Sequence, residues 1–128
     1  PGAIHAGPLQ MRDMVRYQGA EGENNPLHYD IPWAKSFGYP AVFGLGMHQA
    51  STLSSYAVRW LGTSHVKSFK ARFRNVYWPG DPLVYGGVIS DIREEDGQKV
   101  ADLTLNCTRT TPGGDSDPIV DAWMTVGL

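Results

Sequence analysis

A single change of hydrophobic period, at Gly62, constrains the fold of this sequence more than any other feature. Across residues 47–61, apolar and small residues recur at three- and four-residue spacings, which predicts one long helix. After Gly62 the period becomes two, which is typical of half-buried strands. The strands are predicted at residues 69–74, 83–90, 101–108 and 119–126. Short helices, one long helix and an antiparallel sheet make an α+β chain.

Local signals add detail to this layout. Residues 11–17 and 32–37 predict two short helices, and Gly38 ends the second. Asp96-Gly97 predicts a hairpin turn. Gly86-Gly87 predicts a bulge inside a strand. The long helix carries small side chains on several faces, so a sheet can wrap closely around it. We therefore expect the helix to be central.

The chemistry-bearing segment precedes the long helix. Glu23 and His28 bracket Asn24-Asn25-Pro26-Leu27, so a stiff turn presents a carboxylate and an imidazole together. Such a pair suits the handling of one water molecule, because one group takes a proton while the other orients or returns it. Isolated Glu/His pairs also occur in loops that have no catalytic role.

This segment resembles the signature of the MaoC-like (R)-specific enoyl-thioester hydratases and 3-hydroxyacyl-thioester dehydratases, which have the hotdog fold. There the run reads approximately Gly-Asp-x-Asn-Pro-aliphatic-His, with a small residue a turn or two later. The matching residues are Gly22, Asn25, Pro26, Leu27, His28 and Ala34. Glu23 departs from the pattern, because the family usually has aspartate there. The resemblance implies a single hotdog domain over residues 1–128, in which an antiparallel β-sheet wraps a long central α-helix.

The resemblance implies an enoyl thioester of coenzyme A or of acyl carrier protein as substrate. Glu23 and His28 would hold a water against the β-carbon, one removing its proton and the other delivering a proton to the α-carbon. Asn25 would fix the loop and orient a catalytic group. The N–H of Gly46, where the family's central helix begins, would meet the thioester carbonyl, because a helix N-terminus offers unpaired donors. The extra methylene of Glu23 moves the carboxylate by about 1 Å. Misplacement on that scale can cost about a hundredfold in rate, which a backbone adjusted to the longer side chain would recover.

The resemblance also implies substrate contacts at Gly44, Met47 and Arg72. Arg72 belongs to a basic stripe that begins just before the predicted strand 69–74 and follows it. The stripe is either a solvated strand face or a contact surface for coenzyme A phosphates or an acidic carrier protein. The stripe consists of Lys67, Lys70, Arg72 and Arg74. The aromatic residues either line an acyl tunnel or fill the core. They are Tyr39, Phe43, Tyr56 and Trp60.

Composition excludes several other classes of protein. The net charge of −2 argues against nucleic acid as the main partner. No apolar run approaches the roughly 20 residues of a membrane span. Cys107 is the one cysteine, which fits a cytoplasmic location, and we expect it in the core rather than as a nucleophile. Glu23 and His28 lack a third ligand at a familiar spacing, so we expect no metal and no cofactor. The sequence starts at Pro1 without a methionine, so we expect the natural N-terminus to be trimmed or to belong to a longer chain.

Three functions remain open from the sequence. The resemblance implies a homodimer, or a heterodimer with a related hotdog subunit, that hydrates enoyl thioesters. In a mixed pair, this chain could instead shape the acyl pocket and catalyse little alone. A hotdog thioesterase would also place a carboxylate near the helix start but would hydrolyse the thioester. The Asn-Pro-Leu-His string favours hydration.

Overall fold

The computed structural model of the chain describes residues 2–128. Two short helices precede one long helix, and four of the five strands follow it. The helices are α1 (Met11–Glu21), α2 (Ile31–Ser36) and α3 (Gly46–Leu61). The strands are β1 (Ile4–Ala6), β2 (Val66–Phe73), β3 (Leu83–Glu95), β4 (Gln98–Thr110) and β5 (Ser116–Gly127). A 3-10 turn, Pro26–His28, lies between α1 and α2.

The strands form one antiparallel sheet in the order β1-β3-β4-β5-β2. Helix α3 packs against β2, β3, β4 and β5, so the sheet surrounds the long helix on its buried side. This confirms the predicted α+β hotdog architecture. Residues 44–46 connect the preceding loop to α3, which packs against the sheet.

The core lies between α3 and the inner face of the sheet. Along α3 the buried side chains are Gln49, Ala50, Leu53, Tyr56 and Ala57. Along β4 they include Ala101, Leu103, Leu105 and Cys107, which alternate with more exposed residues as the period of two predicts. The prediction that Cys107 is a core residue is confirmed, because its side chain is fully buried. Helix α3 ends at Gly62, whose φ of 64° is left-handed and whose N–H donates to the Val58 carbonyl.

The prediction of a bulge at Gly86-Gly87 is wrong. The register of β3 against β4 is regular through both glycines and shifts instead between Ile89 and Asp91. A Cβ atom at position 87 would lie 2.6 Å from the Leu105 side chain. Glycine therefore stands there to make room for a packed core side chain and leaves the pairing of the strands unchanged.

Other boundaries differ from prediction by local extension. Helix α1 runs four residues further than predicted, to Glu21, and ends at Gly22 with a left-handed φ of 81°. Strand β1 was not predicted, because three residues carry too little periodicity. The hairpin turn at Asp96-Gly97 is confirmed, with both residues at positive φ. In the described part of the chain, no helix combines the length and apolar composition that crossing a membrane requires.

Candidate active site

A cavity of about 460 Å³ opens where three segments meet. These segments are the loop between α1 and α2, the chain that enters α3, and the connector that follows β2. Among the predicted site residues, the cavity is lined by Glu23, His28, Gly44, Gly46 and Met47. Asn25 and Arg72 are not part of its lining. The fold thus gathers five of the seven predicted positions, which are separated by up to 23 residues in the sequence.

Two N–H donors hold the Glu23 carboxylate in place. The backbone N–H of Asn25 donates to Oε1 at 2.8 Å. The Gln18 side-chain amide donates to Oε2 at 2.8 Å and also to the Asn25 carbonyl at 3.1 Å. Because each oxygen already has a donor at a normal distance, the longer side chain is seated in this loop.

His28 is oriented by the main chain of the opposite wall. Its Nδ1 lies 2.7 Å from the carbonyl oxygen of Phe43, which can only accept, so Nδ1 carries the proton in this contact. The imidazole also meets the Phe43 ring edge-on, with ring centroids 5.0 Å apart. Nε2 is then the free nitrogen, and it lies 4.0 Å from Oε2 of Glu23. The His28 side chain is 12% exposed and that of Glu23 is 38% exposed, so the pair is open on the carboxylate side.

Asn25 shapes the turn that carries His28. Its Oδ1 accepts from the Leu27 N–H at 3.1 Å, which caps the 3-10 turn, and Pro26 occupies the first position of that turn. Its side chain therefore acts on the loop, and its backbone N–H acts on Glu23. A catalytic role for Asn25 stays a prediction, and these two contacts support it.

Gly46 is the first residue of α3, preceded by Leu45 at the cap position. Its N–H therefore has no acceptor within the helix. A Cβ atom at Gly46 would lie 2.7 Å from the Phe73 ring, and one at Gly44 would overlap the Tyr77 ring. Both glycines thus allow close approach of side chains from the end of β2 and from the connector after it.

One of the four residues of the basic stripe lines the cavity. Arg74 lines the cavity and donates to Asp121 at 2.7 Å. Lys67 pairs with Glu95 at 3.3 Å, far along the sheet. Arg72 lies on exposed β2 outside the lining, so its contact with substrate stays a prediction that depends on a long carrier group reaching the strand face.

Two residues of the site, Gln18 and Tyr77, are not predicted from the sequence. Gln18 is a buried polar residue of α1, only 4% exposed, and its contact with Glu23 depends on how the loop folds back. Tyr77 is buried in the wall beside Gly44. A polar residue at a helix position that otherwise faces the core is the signal that could have identified Gln18.

A second cavity, of about 750 Å³, lies along another face of α3, toward α1 and β1. His48, Tyr56 and Trp60 are among its lining residues. His48 stacks on Tyr17 with ring centroids 4.4 Å apart. Burial lowers the pKa of His48, and the nearby Asp13 carboxylate opposes that effect. In residues 2–128, no group of three or more His, Cys, Asp or Glu side chains is arranged to hold a metal ion.

Comparisons with known proteins identify one family model and several similar structures. The family model described as "MaoC like domain" matches residues 2–110. No curated protein matches the sequence. The (R)-hydratase from A. caviae involved in PHA biosynthesis is 19% identical, with a TM-score of 0.84 over 99% of this chain and 92% of that chain.

Two structures from Mycobacterium tuberculosis are also similar. The ChsH1–ChsH2 complex is 15% identical, with a TM-score of 0.82 over 99% of this chain and 93% of that chain. The C-terminally truncated HadBC complex, a (3R)-hydroxyacyl-ACP dehydratase, is 16% identical, with a TM-score of 0.71 over 100% of this chain and 91% of that chain. At these identities the structural likeness shows the fold.

Proposed function

The chain belongs to the MaoC-like domain family, and from that membership we propose that it adds water to trans-2-enoyl thioesters with (R) specificity, or catalyses the reverse dehydration of (3R)-3-hydroxyacyl thioesters. One observation carries the proposal. Nε2 of His28 and Oε2 of Glu23 lie 4.0 Å apart on the wall of the cavity that the first residue of α3 also lines.

This spacing suits one water molecule. For a water oxygen at about 2.8 Å from both atoms, the angle between the two hydrogen-bond directions would be about 90°, near the angle between its two O–H bonds. Both atoms accept in this arrangement, because Nδ1 of His28 carries the ring proton and Glu23 is a carboxylate. The water therefore donates to both, and its lone pairs face the cavity.

The proposed reaction balances with these groups alone. As the water oxygen bonds to the β-carbon, His28 takes one water proton at Nε2, and the electrons of the C=C bond move toward the thioester carbonyl. The resulting enolate oxygen accepts from the Gly46 N–H. His28 then returns its proton to the α-carbon, and Glu23 holds the remaining O–H throughout. General acid–base catalysis of this kind contributes about 10²–10⁴-fold, and an oxyanion donor contributes about 10²–10³-fold.

The direct test uses purified protein with crotonyl-coenzyme A and longer enoyl thioesters. We expect loss of the enoyl absorbance, no free thiol, and a product that an (R)-specific 3-hydroxyacyl dehydrogenase oxidises. His28→Ala and Glu23→Gln should each lower kcat about 100-fold or more. His65→Ala and Glu94→Gln make the same chemical changes at exposed positions outside the cavity and should have near-normal rates. Near-normal rates in the His28 and Glu23 variants would remove these residues from the mechanism.

We further propose that the chain works as a dimer. β2 forms one edge of the sheet, and apolar side chains are exposed at its two ends, with Val66 40% and Phe73 53% exposed. Met47, beside the cavity, is 49% exposed. A second hotdog chain, identical or related, would cover this edge. Sedimentation of the purified protein tests this proposal, and a monomer at micromolar concentration would contradict the homodimer.

A partner subunit without full activity is the second candidate, supported by the similarity to the ChsH1–ChsH2 and HadBC complexes. In that case the purified chain would show no hydration until a related subunit is added. Release of free thiol would indicate a thioesterase instead.

A further inference from the structure

A chain of buried polar groups runs through the core and ends at the entry of α3. Gln49, which is fully buried, donates from Nε2 to the Tyr77 hydroxyl at 2.8 Å. The Tyr85 hydroxyl donates to Oε1 of Gln49. The Tyr77 hydroxyl donates to the carbonyl of Leu45 at 3.3 Å. These hydrogen bonds link strand β3, helix α3 and the connector after β2.

The direction of the hydrogen bonds follows from the donors and acceptors. Tyr85 gives its proton to Oε1 of Gln49, so Nε2 faces Tyr77. The Tyr77 oxygen accepts that N–H, and its own proton is left for the Leu45 carbonyl. Burial raises the pKa of Tyr77 to about 12 and raises that of Tyr85 further, so both hydroxyls keep their protons near neutral pH.

Tyr77 holds the entry of α3 in three ways. Its carbonyl accepts from the Gly44 N–H at 2.8 Å. Its ring fills the space where a Cβ atom at Gly44 would lie. Its hydroxyl contacts the carbonyl of Leu45, the residue immediately before Gly46. Packing alone explains the aromatic ring of Tyr77, because a phenylalanine at this position would supply the same ring. The hydroxyl and the buried amide need another reason, since burying polar groups costs free energy even when they are paired.

The geometry of one peptide unit supplies that reason. The Leu45 carbonyl and the Gly46 N–H belong to the same planar peptide group, which is trans, so they point in opposite directions. A hydrogen bond that fixes the carbonyl therefore fixes the N–H. It also polarises the peptide group, which strengthens the N–H as a donor.

We propose that Tyr77, supported by Gln49, is a positioning residue that sets the direction of the Gly46 N–H toward the thioester carbonyl. This rests on the proposed hydratase function, in which that N–H stabilises the enolate oxygen. Tyr77 acts through the main chain and needs no contact with the reacting atoms.

The test compares two conservative variants. Tyr77→Phe removes the hydroxyl that contacts Leu45 and keeps the ring against Gly44. Tyr17→Phe removes a hydroxyl that contacts α3 at Ser51, outside the chain of hydrogen bonds that ends at Leu45, and keeps the ring. With crotonyl-coenzyme A, we expect Tyr77→Phe to lower kcat about 10- to 100-fold, less than complete loss of an oxyanion donor. Its KM should stay within about threefold and its pH profile should keep its shape, because Glu23 and His28 are unchanged. Tyr17→Phe should stay within about threefold of wild type in kcat.

A second readout does not depend on turnover. In amide NMR spectra, the Gly46 resonance should shift in Tyr77→Phe and stay in place in Tyr17→Phe. Butyryl-coenzyme A, which has no double bond to hydrate, should perturb the Gly46 resonance of the wild type more than that of Tyr77→Phe. Equal losses of kcat in the two variants, or an unmoved Gly46 resonance, would overturn the proposal.

The two proposals can fail separately. A wild type that hydrates no enoyl thioester refutes the proposed function, whereas the NMR comparison still decides whether Tyr77 orients the Gly46 amide. Tyr77→Phe leaves the Gln49 amide with an unpaired donor. If that variant does not fold for this reason, the double variant Tyr77→Phe with Gln49→Met, which lacks the unpaired donor, is measured instead of Tyr77→Phe.

Discussion

Shortening Glu23 to aspartate is the sharpest test of how this site holds water. The family usually has aspartate at this position, so sequence resemblance alone predicts that Glu23→Asp keeps or improves activity. The structure predicts the opposite, because the loop seats the glutamate carboxylate through the Asn25 N–H and the Gln18 amide, both at 2.8 Å.

The expected magnitude follows from the distance between the two acceptors. Removing one methylene withdraws the carboxylate by about 1 Å, so its separation from Nε2 of His28 grows from 4.0 Å to about 5 Å. Water at about 2.8 Å from both atoms can span at most about 5.6 Å, and at 5 Å the angle it must bridge widens to about 125°. One charge-assisted hydrogen bond, of about 1.5–3 kcal/mol, is then weakened or lost. That corresponds to a fall of about 10- to 150-fold in kcat.

The assay is the hydration of crotonyl-coenzyme A under saturating substrate. KM should change little, because the carboxylate contacts water rather than the acyl group. Glu94→Asp makes the same change at an exposed position of β3 and serves as the control. Urea unfolding of both variants checks that the fold is retained. Wild-type or higher kcat in Glu23→Asp would show that the Gln18 contact does not fix the catalytic geometry.

Three other outcomes are expected. Gly44→Ala should lower the free energy of unfolding by about 1–3 kcal/mol in urea titrations, because its Cβ would overlap the buried Tyr77 ring; unchanged stability would contradict this packing. The Cys107 thiol should react with a thiol reagent only after unfolding, because it is fully buried and burial raises its pKa to about 12; rapid labelling of the native protein would place it elsewhere. Burial lowers the pKa of His48 despite Asp13, so the unfolded chain binds the proton more readily, and stability from this residue is present above its unfolded pKa of about 6.5 and lost as pH falls below it. His48→Gln should therefore show a smaller loss of stability than wild type between about pH 7.5 and about pH 5.5, and equal losses would refute the assignment.

The long helix and the sheet could be predicted because each has a long, regular period. The spacing of apolar residues over 47–61 fits a helix, and the alternation that runs through Cys107 fits a strand. Gly62 marks the change from one period to the other. The error at Gly86-Gly87 has a physical reason. A glycine pair in a strand favours a bulge locally, and only the three-dimensional packing shows that Gly87 makes room for Leu105.

The candidate site was predictable where the sequence is contiguous and unpredictable where it is not. Glu23 and His28 lie in one short loop, so their proximity followed from the motif. The Gln18 amide, the Phe43 carbonyl and the Tyr77 hydroxyl reach the site from separate segments. Their contacts depend on how α1, the chain before α3 and the connector after β2 converge, which no local pattern records.

The proton of His28 is fixed by a main-chain oxygen, and every amino acid possesses one. Exchanging the side chain at position 43, which lines the cavity, leaves that oxygen available as long as the backbone keeps its path. Descendants of this chain can therefore alter the shape offered to the acyl group by mutation at one site while inheriting the same proton chemistry, so new substrates can be explored without rebuilding the catalyst.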